Sequence, residues 1–193
     1  NYHRASTVYE RDPEKVKALL AAAGLKRLEF TLSVNNNWVA DLAPSIVDDL
    51  KECGITCTIA EHALRWNEFA DTGKVLSYDA VLASGDPSRF GNDPDLLLSW
   101  WYGDNVWTRG RSCWARDESG SFNTMQTLLQ QARAASGDER QELWNQCFDI
   151  VADEVPLYGL FHRKLATGWQ PDDIAGFRPI SVSGLDFLGC TVA

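Results

Sequence analysis

Aromatic and acidic side chains are concentrated in one part of the chain, between Ser84 and Trp114. Four of the eight tryptophans lie there, in a run that is also rich in glycine, proline, acids and amides. The tryptophans are Trp100, Trp101, Trp107 and Trp114, and the acidic and amide residues include Asp86, Asn92, Asp93, Asp95 and Asp104. Flat apolar rings beside carboxylates favour the burial of a cationic or amphipathic small molecule. We therefore predict that this segment contributes to a binding site.

The same residue types are compatible with two other functions. Paired carboxylates flank the scissile bond in glycoside hydrolysis, so Asp86 with Asp93 or Asp104 would act as acid and as nucleophile or base in a carbohydrate-active enzyme. An exposed tryptophan surface would instead serve a protein-interaction module. No pairing of His with Ser or Cys stands out, and Asp93-Pro94-Asp95 is typical of a helix start. These observations favour binding without catalysis.

Five cysteines are present, at positions 53, 57, 113, 147 and 190, and the odd number leaves at least one thiol free within a monomer. Cys53 and Cys57, followed by His62, have a spacing that a metal cluster would use. Cys53 falls at a predicted helix end and Cys57 inside a predicted strand, which favours buried structural thiols. We expect neither a metal nor a cofactor.

Composition limits the class of partner. The formal net charge is −9 and 45% of the residues are hydrophobic, which is typical of a folded globular protein. With no basic stripe to displace counterions from phosphates, nucleic-acid binding is not expected. No apolar run approaches the roughly 20 residues of a membrane-spanning helix.

Hydrophobic periodicity predicts strands and helices that alternate along the first half of the chain. Strands are predicted at residues 28–34, 55–60 and 78–84, with helices after Asp12-Pro13, from about Pro44 to Cys53, and at residues 65–71. This order predicts an α/β fold with right-handed crossovers and a mostly parallel sheet. Two later helices (residues 123–135 and 138–154), a strand at 155–162 and an irregular tail complete the prediction. Ligands in such sheets bind at the carboxyl ends of strands, which is where Ser84, Gly85 and Asp86 lie.

Four blocks resemble solute-binding proteins of the peptide/nickel ABC-transporter family. They are YERDPEKVKALLAAAGL, SIVDDLKECGITCTI, YDAVLASGDPSRFGNDPDLLLSWW and DERQELWNQCFDIVADEVPLYGLFH, and they occur in the family's order and spacing. The resemblance implies a periplasmic-binding-protein type II-like lobe. Residues 1–168 would be the C-terminal α/β lobe, and residues 169–193 a returning tail that packs on the hinge or on an N-terminal lobe that this chain lacks.

The resemblance also implies a function, partners and a site. It implies capture of a peptide or another small amphipathic solute for an ABC importer, with the permease subunits and the N-terminal lobe as partners. The location would be extracytoplasmic, in the periplasm or on a cell-surface lipoprotein, and no enzymatic activity is implied. Asp86 matches the strand-end aspartate that pairs with the α-ammonium group of a peptide. The predicted ligand-binding residues are Ser84, Gly85, Asp86, Trp101, Tyr102, Trp107 and Trp114, whereas the family's tryptophan three residues before the aspartate is Ala83 here.

Overall fold

The computed structural model describes residues 7–34, 38–61, 79–85, 93–161, 168–179, 185–186 and 188–192. Asp86, His62 and the helix predicted at residues 65–71 lie outside the described residues, as does Tyr78 at the start of the predicted third strand.

A three-stranded parallel sheet forms the first half of the described chain. Its strands are β1 (Leu28–Val34), β2 (Ile55–Glu61) and β3 (Ala80–Leu82), in the order β2-β1-β3. β1 pairs with β2 over its whole length, but with β3 only from Leu32 to Val34. The predicted α/β class and parallel pairing are confirmed.

Helix α2 (Ala43–Glu52) covers one face of this sheet. A short 3-10 turn, Ala40–Leu42, precedes it, and Pro44 lies in its first turn, as predicted. Ile46, Val47 and Leu50 pack against a core whose buried members are Leu32, Val34, Val39, Ala43, Cys57 and Leu82. Gly54 follows the helix with a φ of +79°, a conformation that favours glycine and turns the chain into β2.

Four further helices form a second layer with its own core. They are α3 (Pro94–Tyr102), α4 (Val106–Arg111), α5 (Ser121–Ala134) and α6 (Gly137–Glu154). The buried members of this core are Leu98, Trp114, Phe122, Met125, Leu128, Leu129, Ala132, Trp144 and Cys147. Hydrophobic periodicity predicted α5 and α6 to within two residues at each end, whereas α4 was not predicted. No described helix has the length and apolar character that a membrane span requires.

Helix α1 (Pro13–Ala22) begins as predicted, because the side chain of Asp12 accepts a hydrogen bond from the Lys15 N–H at 2.9 Å. Its predicted apolar stripe is not buried, since Val16 and Leu20 are only half-buried and Leu19 is 60% exposed. Ion pairs from Arg11 to the α2 residues Asp49 and Glu52, both exposed, connect the start of α1 to the sheet layer.

Two predictions for the end of the chain were wrong. Residues 155–161 contain no strand, and Val155 ends α6 in the left-handed region at a φ of +46°. Residues 185–188 were expected to lack a pairing partner, yet β6 (Leu185–Asp186) pairs with β5 (Arg178–Pro179), and β4 (Ile174–Ala175) pairs with β7 (Thr191–Val192). These antiparallel ladders are two residues long, too short for an alternating pattern to show in the sequence. The division at residue 168 stays a prediction.

Candidate ligand-binding site

The carboxyl edge of the sheet is the part of the fold where the sequence placed a site. Val34 is level with Glu61 on one side and with Leu82 on the other, so all three strands end together. Ser84 and Gly85 follow Leu82 closely and are exposed at this edge. At the opposite end of β3, the backbone N–H of Thr31 on β1 donates to the side-chain carboxylate of Asp79 at 2.8 Å, one position before β3 begins.

The indole of Trp101 lies against Gly85. A methyl group on Gly85 would be 2.7 Å from Cζ2 of Trp101 and 3.3 Å from Cη2, so only glycine leaves room for the ring in its present position. Two of the predicted site residues are therefore in contact, although they lie on different elements and are well separated in the sequence. This contact joins helix α3 to the end of β3.

The side chains of helix α3 contact four different parts of the structure: the helical core, Arg133 of α5, Gly85 at the sheet edge, and a groove towards α4. Residues four apart lie on the same side of a helix, so the helix divides into successive pairs. Leu98 and Tyr102 face the helical core, while Asp95 and Ser99 bond to Arg133 of α5. Trp101 contacts Gly85, and Leu96 and Trp100 line an open groove towards α4. The two tryptophans of the Trp100-Trp101 pair thus have different neighbours, since successive residues point about 100° apart around the helix axis, and neither belongs to the buried core.

The groove between α3 and α4 has a volume of about 660 Å3. It is lined by Asp95, Leu96, Ser99, Trp100, Asn105, Val106 and Trp107. The ring centroids of Trp100 and Trp107 are 6.1 Å apart, and the ring planes make an angle of 39°. Leu96, Trp100 and Val106 are 54%, 40% and 53% exposed, so the apolar surface of the groove is open to solvent.

Asn105 holds the two helices of the groove together. Its Oδ1 accepts from the Thr108 N–H at 2.9 Å and caps α4, and its Nδ2 donates to the carbonyls of Ser99 at 3.0 Å and Trp100 at 3.2 Å near the end of α3. One side chain therefore satisfies a donor at the start of α4 and acceptors at the end of α3. This explains why α4 forms although it is only six residues long.

Arginine partners hold the acidic residues of the segment. Arg140 donates to both carboxylate oxygens of Asp93, at 2.9 and 3.1 Å, and Asp93 also caps α3. Asp104 pairs with Arg109 at 2.5 and 2.8 Å, and this hydrogen bond lowers the pKa of the Asp104 carboxyl.

Asp95 is partly buried beside α5. Burial raises its pKa, but hydrogen bonds from Ser99 at 2.6 Å and Arg133 at 2.7 Å together lower it by more, so the pKa lies below the ordinary value. A glycosidase needs one carboxyl group that keeps its proton near neutral pH. The lowered pKa values of Asp95 and Asp104 are the opposite of what that role requires.

The predicted ligand-binding residues separate into three groups. Ser84, Gly85 and Trp101 come together at the sheet edge, and Trp107 lines the groove. Tyr102 and Trp114 belong to the helical core, where their rings meet edge to face at 6.4 Å. Asp86 lies outside the described residues, so its role as the ligand anchor stays a prediction.

The expectation that Trp107 and Trp114 occupy loops was wrong. Trp107 is part of α4, and Trp114 begins a 3-10 turn, is 6% exposed and donates its Nε1–H to Ser121 at 2.9 Å. A buried indole with a satisfied N–H is a core residue, so we leave Trp114 out of the proposed site. Sequence reasoning also missed Leu96, Trp100 and Val106 as groove residues. Two signals pointed to them: the four-residue spacing of Leu96 and Trp100, and a capping asparagine just before Val106.

The cysteines form no disulfide among the described residues. Cys57 and Cys147 are buried, and burial raises the pKa of the Cys147 thiol to about 12. Within the described ranges, no group of three or more His, Cys, Asp and Glu side chains is placed to hold a metal ion.

Known proteins share both sequence and fold with this chain. No family model matches it. Di/tripeptide-binding protein 4 of Pseudomonas aeruginosa is 29% identical over 179 residues, which cover 85% of this chain and 31% of that protein. The predicted resemblance to peptide-type solute-binding proteins is confirmed. The chain spans about a third of the length of the curated solute-binding proteins it matches.

Solved structures of solute-binding proteins have the same fold. The ABC transporter-associated periplasmic binding protein DppA of Helicobacter pylori, in complex with the peptide STSA, superposes with a TM-score of 0.57 at 22% identity, over 80% of this chain and 30% of that one. The periplasmic binding protein MelB of Agrobacterium fabrum, in complex with stachyose, gives a TM-score of 0.61 at 21% identity, over 80% of this chain and 26% of that one. The chain therefore has the fold of part of a periplasmic binding protein, and the relatives it matches are described as binding proteins.

Proposed function

We propose that this chain is the C-terminal lobe of an extracytoplasmic solute-binding protein that delivers a peptide or another small amphipathic solute to an ABC importer. The observation that carries the proposal is the exposed Ser84-Gly85 segment at the carboxyl edge of a parallel sheet, with the Trp101 indole packed against Gly85. The similarity to a di/tripeptide-binding protein supports the peptide class. The partners would be the permease subunits and an N-terminal lobe.

Capture would depend on position and on the exclusion of water. Asp86 directly follows Gly85 in the sequence, and in this proposal its carboxylate would accept hydrogen bonds from the ligand's ammonium group. Closure of a second lobe over the edge would lower the local dielectric constant and strengthen that ion pair. Trp101 would provide the apolar wall beside it.

The alternative of a carbohydrate-active enzyme has less support. Asp93 and Asp104 are each paired with an arginine, and the lowered pKa of Asp104 is unsuited to the acid role, although an ionised carboxylate fits that of nucleophile or base. The relatives are described as binding proteins. A protein-interaction module would use a shared surface of exposed tryptophans; Trp100 is 40% exposed, but Trp114 is core and Trp101 packs on Gly85, so the tryptophans of the segment do not form one exposed surface.

The proposal is tested with the full-length protein that contains this chain. Its melting temperature is measured with a panel of dipeptides, tripeptides and oligosaccharides, and we expect a shift with peptides. Asp86→Asn should weaken peptide binding by about 10- to 100-fold, because a hydrogen bond to a charged group contributes about 1.5–3 kcal/mol. Asp48→Asn on the exposed face of α2 is the matched control and should bind like the wild type.

Three results would count against parts of the proposal. Unchanged peptide affinity in Asp86→Asn would remove the anchor role from Asp86. Release of a chromophore from a panel of nitrophenyl glycosides would establish an enzyme instead. Absence of any shift with the whole panel would reject capture of these solute classes.

A further inference from the structure

The groove between α3 and α4 adjoins the Ser84-Gly85 edge through helix α3 and has no role in the capture mechanism proposed above. We propose that it is a subsite for an uncharged apolar side chain of the captured peptide, an inference that rests on the proposed function. Its volume of about 660 Å3 falls in the range of small-molecule sites, roughly 300–1,000 Å3.

The polar groups that line the groove are already engaged with one another. Asp95 accepts from Ser99 and from Arg133, and Asn105 bonds to both helix ends. The charge of the Asp95 carboxylate is offset by the guanidinium of Arg133 at 2.7 Å. A charged ligand group would therefore find no counter-charge among these residues, and the complementary group is neutral and apolar.

The geometry of the two indoles defines how such a group would lie. A ring inserted between Trp100 and Trp107 would need about 7 Å between them, or roughly 3.5 Å on each side. Their centroids are 6.1 Å apart and their planes are tilted by 39°, which excludes a sandwich. The ligand group would instead lie across both rings, between the exposed side chains of Leu96 and Val106.

The groove is also continuous with the proposed site. Trp100 lines the groove, while the next residue, Trp101, packs on Gly85 at the sheet edge. Asn105 bonds to the ends of both helices and so holds α4 against α3, while the contact of Trp101 with Gly85 joins α3 to that edge. A peptide held at Gly85 would thus have a rigid apolar groove on the adjoining face of the same helix.

The first test uses a probe without charges, so that it does not depend on Asp86. N-acetyl-phenylalaninamide is titrated into the full-length protein, and the indole N–H signals are followed by NMR. We expect a dissociation constant of about 1 mM for a ligand of this size, with shifts concentrated on the indoles of Trp100 and Trp107. N-acetyl-glycinamide should not bind.

Matched variants locate the binding. Leu96→Asp should raise the dissociation constant of the probe about tenfold, which is the loss of affinity expected when roughly 50 Å2 of apolar contact is removed. Leu19→Asp on α1 is the control, since Leu19 is also an exposed helical leucine, at 60% against 54% for Leu96. Both positions are exposed, so neither substitution opens a cavity.

Tripeptides separate this inference from the proposed function. Ala-Phe-Ala should bind more tightly than Ala-Ala-Ala, and Leu96→Asp should remove the difference. If both tripeptides bind equally and Leu96→Asp changes nothing, the groove proposal is wrong and peptide capture stands. If the amide probe binds and no tripeptide does, peptide capture is wrong, and the groove binds apolar groups without being a peptide subsite. Failure of the probe to bind, or concentration-dependent dimerisation that Leu96→Asp abolishes, would overturn the groove as a ligand subsite.

Discussion

Replacement of Gly85 by alanine tests the contact that joins the helical layer to the sheet edge. The new Cβ would lie 2.7 Å from Cζ2 of Trp101, whereas carbon atoms in contact are about 3.5–4.0 Å apart, so the ring must move by about 1 Å. Gly85 does not have a positive φ, so alanine fits its backbone and the cost arises from the indole alone. Displacement of a packed side chain costs about 1–3 kcal/mol.

The assay is urea unfolding of a double-mutant cycle with Gly85→Ala, Trp101→Ala and the combined variant. We expect Gly85→Ala to lower the free energy of unfolding by about 1–3 kcal/mol alone and by less than about 0.5 kcal/mol in the Trp101→Ala background. Gly159→Ala is the control, because a methyl group on Gly159 would have no neighbouring atom within 4 Å and the φ of this residue is not positive. The reasoning would be refuted if Gly85→Ala lowered the free energy of unfolding equally in the Trp101→Ala background. It would also be refuted if the Gly85→Ala variant were as stable as Gly159→Ala.

Three further substitutions or treatments test the site's framework. Asn105→Ala should lower the free energy of unfolding, measured in urea, by about 1–2 kcal/mol, and Asn105→Ser should lower it less, since serine still caps α4. Equal losses in the two variants would mean that the cap bond contributes nothing. Asp95 has a folded-state pKa below its unfolded value, so its contribution is present above about pH 4 and lost as the pH falls through the folded pKa. Asp95→Asn should therefore be destabilising by about 1 kcal/mol at pH 7, and this difference in stability should shrink as the pH falls below about 4. A difference in stability that does not change with pH would contradict this. Burial raises the thiol pKa of Cys57 and of Cys147, so a thiol reagent at about pH 8 should modify both only after unfolding, whereas half-buried Cys53 reacts in the native state.

The sequence predicted the elements that carry strong local signals. Asp12 and Pro13 start α1, Gly54 separates α2 from β2, and Asp93-Pro94 starts α3, each because a cap or a backbone preference acts within a few residues. Parallel pairing followed from the alternation of strands and helices. Helix α4 has a local signal of the same kind in its cap Asn105, but Val106–Arg111 is too short for a hydrophobic period to show.

The site was only partly predictable. Placing Ser84 and Gly85 required only the end of a strand, which periodicity provides. The roles of the tryptophans required packing, since α3 is apolar on most of its faces and its pattern does not reveal which face meets the core. Helix geometry separated Trp100 from Trp101, but only the contact with Gly85 showed that Trp101 faces the sheet edge. Trp114 is a core residue because Phe122 and Tyr102, from two other helices, surround it.

The division of α3 into pairs four residues apart has a consequence for how this segment can change over time. Each residue turns the helix by about 100°, so one inserted or deleted residue in Pro94–Tyr102 would redirect every following side chain at once. The indole that meets Gly85 would turn towards a different neighbour, and the groove and the core would lose their own residues in the same step. Point substitutions, by contrast, alter one neighbour at a time. The helix is therefore free to vary in residue type within a fixed length, and ligand preference can diverge through Leu96 and Trp100 while the other faces keep their partners.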